Sequence, residues 1–96
     1  MNPVRGETAI EIDGAPRKLC LTLGALAEIE HALGCASLKD LSVRLKTVSA
    51  QDLIKLLAAL LRGGGEHRLA ATVPDLTIDP HMALKAILTC FGRSVE

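Results

Sequence analysis

The sequence predicts an α+β domain that is mostly helical, with an N-terminal β-hairpin followed by about four short α-helices in one small unit. Three observations carry this. Residues 7–22 alternate apolar and polar side chains around the turn signal Asp13-Gly14. From Leu23 onward apolar residues recur at helical spacing. Most of the helical runs open on a Ser or Asp and close on a Gly, the residues that satisfy the orphan backbone groups of helix ends. With 96 residues the chain makes one domain, 1–96, near the size at which a single hydrophobic core holds without staples.

Residues 1–6 are a polar lead, expected to fray. Thr8, Ile10 and Ile12 then point one way and Ala9 and Glu11 the other. Beyond the turn, Leu19, Leu21 and Leu23 alternate with Lys18, Cys20 and Thr22. The result is an antiparallel hairpin over 7–22 with Ile10, Ile12, Leu19 and Leu21 facing inward. Two strands alone are marginal in water, so helices or a neighbouring subunit must cover that face.

Three helices are expected within 23–62. The first carries Leu26, Ile29 and Leu33, with Ala25 and Ala32 beside them and Glu28 facing away, and Gly34 stops it. Ser37 and Asp40 cap a second helix carrying Leu38, Leu41 and Leu45. Ser49 and Asp52 repeat the device for a third, with Val48 and Leu53 placed as a hydrophobic staple. In this third helix, Ala50 to Arg62, Leu53, Leu57 and Leu60 centre the apolar face and Leu56 flanks one edge. Ile54, Ala58 and Leu61 widen the arc to roughly 200°, where a one-sided surface helix needs only about 100°. Such a helix is covered on two sides, by the last helix or by a partner. Gly63-Gly64-Gly65 opens a connection over 63–78, flexible in its first part. Asp79-Pro80 caps the last helix, 79–92, whose Leu84, Ile87, Leu88 and Phe91 form one stripe before Gly92 closes it.

Composition narrows the function. Eleven basic and eleven acidic residues give zero net charge, and Phe91 is the one aromatic, so neither the electrostatic nor the stacking footprint of a nucleic-acid binder is present. Near-neutrality permits a homo-oligomer, because long-range repulsion between copies is small. There is no apolar run long enough for a membrane span and none resembling a signal peptide, so a cytoplasmic location is expected. Cys20, Cys35 and Cys90 are too few and too scattered for a disulfide framework and read as reduced, buried apolar residues.

No motif for chemistry assembles. His31 and Cys35 have i, i+4 spacing but lack the further ligands a metal needs, and Gly34 falls between them. His67 and His81 read as surface residues. The serines are caps or peripheral, without a nucleophile elbow. The triple glycine follows a helix and lacks the Lys-Ser/Thr of a phosphate loop. The second helix carries Lys39, Arg44 and Lys46, but Asp40 interrupts them and no recognition helix follows. No catalytic residue, metal, cofactor or small-molecule substrate is expected, and the chain reads as a non-enzyme. What remains is recognition by surface, with Ile54, Leu61, Ala58 and Leu56 of the third helix as candidate partner-binding residues.

Gly6-Glu7 with Asp13-Gly14, then Ala25-Leu26, Glu28-Ile29-Glu30 and Leu33-Gly34, then Ile54 through Gly63, resemble in order and spacing the small tail proteins of gene transfer agents and related tailed phages. The resemblance covers residues 6–65 and is weaker beyond. It implies a tail assembly chaperone-like protein that escorts the tape-measure protein during tail assembly, with the tail tube protein as a further partner. The alternative is a structural tail or tube-associated subunit, in keeping with an older naming of the family as a tail tube component. A small DNA-binding regulator is a distant third reading. A chaperone of this kind would act in the bacterial host cytoplasm, and a structural subunit would stay in the particle.

Overall fold

A computed structural model describes residues 6–92. The expected frayed lead therefore lies outside the described residues except for Gly6, which is buried and accepts a hydrogen bond from the Leu21 N–H at 2.8 Å. Strands β1 (Glu7–Ile12) and β2 (Ala15–Cys20) pair antiparallel, with Ile12 opposite Ala15 across the turn. Asp13 and Gly14 both have positive φ, 55° and 78°. This is the mirror-image turn whose twist matches that of the strands, and Asp and Gly tolerate it best.

The turn also sets which backbone groups face where. Ile12 and Ala15 close a two-residue loop, and Gly6 is bonded to Leu21, so even-numbered residues of β1 direct their N–H and C=O groups at β2 and odd-numbered ones away. On β2 the outward positions are Pro16, Lys18 and Cys20, so the missing Pro16 N–H costs no ladder bond. Ile10, Ile12 and Leu19 are buried as expected and Leu21 half-buried, while on the outer face Lys18 Nζ pairs with Glu7 at 2.7 Å.

Helix α1 (Leu23–Leu33) starts where Thr22 Oγ1 accepts the Ala25 N–H at 3.0 Å. It ends at Gly34, φ 70°, with the Cys35 N–H on the Glu30 carbonyl and the Gly34 N–H on that of His31, a pairing that satisfies two orphan carbonyls. In α2 (Leu38–Arg44) Ser37 Oγ accepts the Asp40 N–H, and the Asp40 carboxylate reaches the Ala36 N–H rather than that of Ser37. At α3 (Ala50–Gly63) the reciprocal box is complete: Asp52 N–H to Ser49 Oγ at 3.1 Å, Ser49 N–H to Asp52 Oδ2 at 3.2 Å. Leu23 and Leu38 depart from the expected stripes and are 85% and 59% exposed. Each is the first helical residue after its cap, at the rim, where neither the strand nor the helix period turns it inward.

Helix α3 is the central strut. Leu56 through Leu61 are all buried, six consecutive residues covering every direction around the axis. The covers are α1, β2, and the chain that follows α3. Helix α1 runs antiparallel to α3: Arg62 Nε donates to Glu28 Oε1 at 3.0 Å, a second Arg62 nitrogen donates to Glu28 Oε2, and Lys55 Nζ reaches the Ala32 carbonyl.

The segment 63–78, expected as an open connection, contains structure of its own. Gly63 is still helical, α4 (His67–Ala70) and a 3-10 turn (Val73–Asp75) follow, and Ala70 and Val73 are part of the core. These pieces are too short to display a period, and Glu66 makes no side-chain cap, so no sequence signal announces them. Helix α5 (Pro80–Cys90), capped by Asp79 on the His81 N–H at 2.8 Å, buries Ala83, Ile87, Leu88 and Cys90. Leu84 and Phe91 pack half-buried at its margin.

The three glycines differ in role. A Cβ on Gly63 would lie 2.1 Å from the Cys20 carbonyl oxygen, and one on Gly64 would lie 2.1 Å from that of Lys18. Gly65 has φ 88° with open space around it; its N–H bonds the Arg62 carbonyl and the Glu66 N–H bonds that of Leu61. Two glycines thus let the helix end meet the outward carbonyls of β2, and the third supplies the left-handed stop.

At the other end of α3, Arg44 joins three helices. Its Nη1 donates to the Leu33 carbonyl and its Nη2 to Asp52 Oδ1, both at 2.9 Å. Asp52 is 4% exposed. Burial alone would push its carboxyl up, but the Ser49 N–H, the Arg44 guanidinium and the Ser49 hydroxyl region together hold it below the usual carboxylate value.

Two predictions follow from these ends. Gly63→Ala and Gly64→Ala should each cost about 3 kcal/mol or more by urea unfolding, and Gly65→Ala about 1 kcal/mol; equal, small effects would mean the run is merely a hinge. Because Asp52 has a depressed folded pKa, its stabilisation is complete above an unfolded pKa of about 3.9 and is lost as pH falls through the folded value. Arg44→Ala should therefore cost about 2 kcal/mol near neutrality and less in acid. A penalty independent of pH would place the role of Arg44 in its bond to Leu33 instead.

Candidate interaction surface

Burial pushes the Cys90 thiol up to about 12, with Cys20 acting in the same direction, leaving it an inert apolar filler. Among the described residues no group of three or more His, Cys, Asp or Glu side chains comes together as a metal site, and no helix is long and apolar enough to cross a membrane. His31 is exposed in the last turn of α1, and Gly34 turns the chain before Cys35, which is half-buried. Of the basic residues on and beside α2, Lys39 and Lys46 are exposed, but Arg44 is committed to Asp52 and Leu33.

The four residues singled out on α3 separate. Leu56 and Leu61 are 0% exposed and Ala58 is 9% exposed, all enclosed within the protomer. Their wide arc is used by α1, the hairpin and the segment after Gly65, so it needs no partner to cover it. Ile54 is different. It lies two to seven residues nearer the N-terminus of α3 and is half-buried at an open groove.

That groove, of about 210 Å³, runs between the first half of α3 and the chain leading into α5. Leu53, Ile54 and Leu57 form one wall, and Val73, Leu76 and Ile78 the other. It is smaller than pockets that enclose small-molecule ligands, and its lining is almost wholly apolar, as a site for apolar side chains of another polypeptide would be. Sequence reading located Ile54 and missed Leu76 and Ile78, because an isolated apolar residue in a loop carries no period to mark its direction.

A second, polar hollow is lined by Arg17, Glu66, His67 and Arg68. Arg17 stands on the inward face of β2 opposite Ile10, and its Nη1 lies 3.6 Å from Glu66 Oε1. Its stem covers the core while the charged end reaches the turn after α3, and its Nε is buried without a hydrogen-bond partner among the described residues.

Comparison with known proteins gives one positive result. Residues 5–90 match the model of the family described as "Phage tail tube protein, GTA-gp10", a span that includes the hairpin, the glycine run and α5, well past the residue 65 at which the sequence resemblance weakened. No curated protein matched, and no solved structure matched. The match covers nearly the whole chain, and the chain belongs to the GTA-gp10 phage tail tube protein family.

Proposed function

We propose that this chain is a non-enzymatic tail assembly factor of a gene transfer agent or prophage that escorts the tape-measure protein while the tail is built. The observation that carries the reading is the groove at Leu53 and Ile54. It is apolar, open at one side, and built on the most deeply held helix of the fold, so it can seat the apolar stripe of an amphipathic helix without rearrangement. A groove this small gives weak, reversible contact, which suits a factor that must later be displaced. The half-buried wall narrows the partner-binding residues to Ile54 with Leu53, Leu76 and Ile78; Leu56, Ala58 and Leu61 act from beneath by holding α3 in place.

A second reading is a tube-associated subunit retained in the particle, and the family's description favours it. On that reading the groove seats a neighbouring tail subunit, and the protein is found in the particle rather than only in the host cytoplasm.

The deciding experiment is capture of the tagged protein from cells expressing the particle locus, with mass spectrometry of both the capture and purified particles. Tape-measure protein in the capture and no chain in particles supports the escort; stoichiometric chain in particles makes it a structural subunit. Ile54→Glu should abolish that capture while the helical circular dichroism and melting curve persist. Leu61→Ala should instead lose about 3 kcal/mol of stability. Unchanged capture by Ile54→Glu would remove the groove from the proposal.

A further inference from the structure

The hairpin has two edges, and they are unlike. The outward carbonyls of β2, on Lys18 and Cys20, are closed off by Gly64 and Gly63. Among the described residues β1 has β2 as its one strand neighbour, and the register turns the N–H and C=O groups of Ala9 and Glu11 away from it. Beside that edge lies a groove of about 210 Å³ between β1 and α5, lined by Thr8, Ile10, Met82, Lys85, Ala86 and Thr89. Met82 is 54% exposed there. Natural edges are usually blunted by proline, lysine or a bulge, and β1 has none of these over Glu7–Ile12.

We propose that the outward edge of β1 at Ala9 and Glu11 is a strand-addition site for an extended segment of a partner protein that alternates basic and apolar residues. The pleat dictates the alternation. Residues of an added strand that pair with Glu7, Ala9 and Glu11 fall on the outer face, where Glu11 is exposed and Glu7 is already matched by Lys18. A Lys or Arg opposite Glu11 completes that face. Residues that pair with Thr8 and Ile10 fall on the other face and enter the groove, where Met82 and Ala86 give apolar contact beside Lys85 and Thr89, so the cations of the added strand belong on the outer face and its apolar residues here. A second copy of this chain paired about Ala9 is a poor occupant. Antiparallel β1-to-β1 pairing centred on Ala9 would set Glu7 of each copy opposite Glu11 of the other, two like-charge pairs across the ladder. Pairing of β1 with the β2 edge of another copy is blocked by the glycines. The β2 side is thus closed, and on the β1 side the exposed Glu11 favours a strand from a basic partner. This site is separate from the α3 groove and stands whichever tail role holds.

The test uses the full chain and two short blocked peptides, one alternating lysine with valine and one alternating glutamate with valine, read by amide hydrogen exchange and NMR titration. The lysine peptide is expected to bind and to slow exchange at the Ala9 and Glu11 amides, and the glutamate peptide to bind about tenfold more weakly. Ala9→Pro removes an outward N–H that the hairpin does not use, so binding should be lost with the fold retained. Glu11→Lys, at an exposed position, keeps the test valid should Ala9→Pro unfold, and should reverse the preference between peptides. The proposal is overturned if neither peptide protects these amides, if Glu11→Lys leaves the preference unchanged, or if Ala9 becomes protected with protein concentration alone, which would assign the edge to a second copy.

Discussion

Two carbonyl oxygens of β2 occupy the places where side chains of Gly63 and Gly64 would begin, and the arrangement of the domain depends on that approach. A hairpin of two strands cannot bury its inner face unaided, and this contact seats it on the C-terminal half of α3, where Leu19 and Leu60 are both fully enclosed. Once the helix end is held there, Gly65 reverses the chain, Glu66 comes within reach of Arg17 on the hairpin, and the following turn lays Ala70 and Val73 against the core. An ordinary residue at 63 or 64 would move the strand and helix apart and undo each of these consequences in turn.

The opposite end of α3 is held by charge rather than by close packing. Asp52 serves two partners with its two oxygens: Oδ2 caps the helix through the Ser49 N–H, and Oδ1 receives Arg44, which also satisfies the last free carbonyl region of α1 at Leu33. A buried carboxylate is costly by itself. Here the Ser49 N–H offsets part of that cost locally, and the Arg44 guanidinium, which offsets a further part, also constrains where α1, α2 and α3 meet, so one ion pair links a three-way junction. The outer faces are then tied by Glu28–Arg62 and Glu7–Lys18, exposed pairs that add orientation more than stability.

The regular elements were legible in the sequence because each announced itself twice, by a period and by a cap. The hairpin from Asp13-Gly14, α1 ending at Gly34 and the Ser49–Asp52 box stand within a residue or two of where pattern and cap chemistry place them. What was not legible depended on partners distant in sequence. The breadth of the apolar arc on α3 showed that it needed covers on more than one side, but whether those covers were the protein's own could not be read from the helix itself. Arg44 read only as one of three basic residues of the second helix until Asp52 and Leu33 were brought to it, and the glycine run read as the start of a flexible connection because local reading has no view of the carbonyls of Lys18 and Cys20. Ile54 was found at the candidate groove, while Leu76 and Ile78 on its far wall lie in a segment without periodicity.

The all-round burial of Leu56 through Leu61 also orders the domain in time. Amides in that stretch meet solvent only when a cover is displaced, and exposing all of them requires the hairpin, α1 and the segment after Gly65 to move together, which amounts to global unfolding, whereas the four-residue α4 and the rim of α2 can open singly. Helix α3 is thus a graded element, anchored at its C-terminal half and more accessible at the half that carries Leu53 and Ile54. A partner seated on the accessible half would be held against a rigid post, and could be exchanged many times over without the domain ever unfolding.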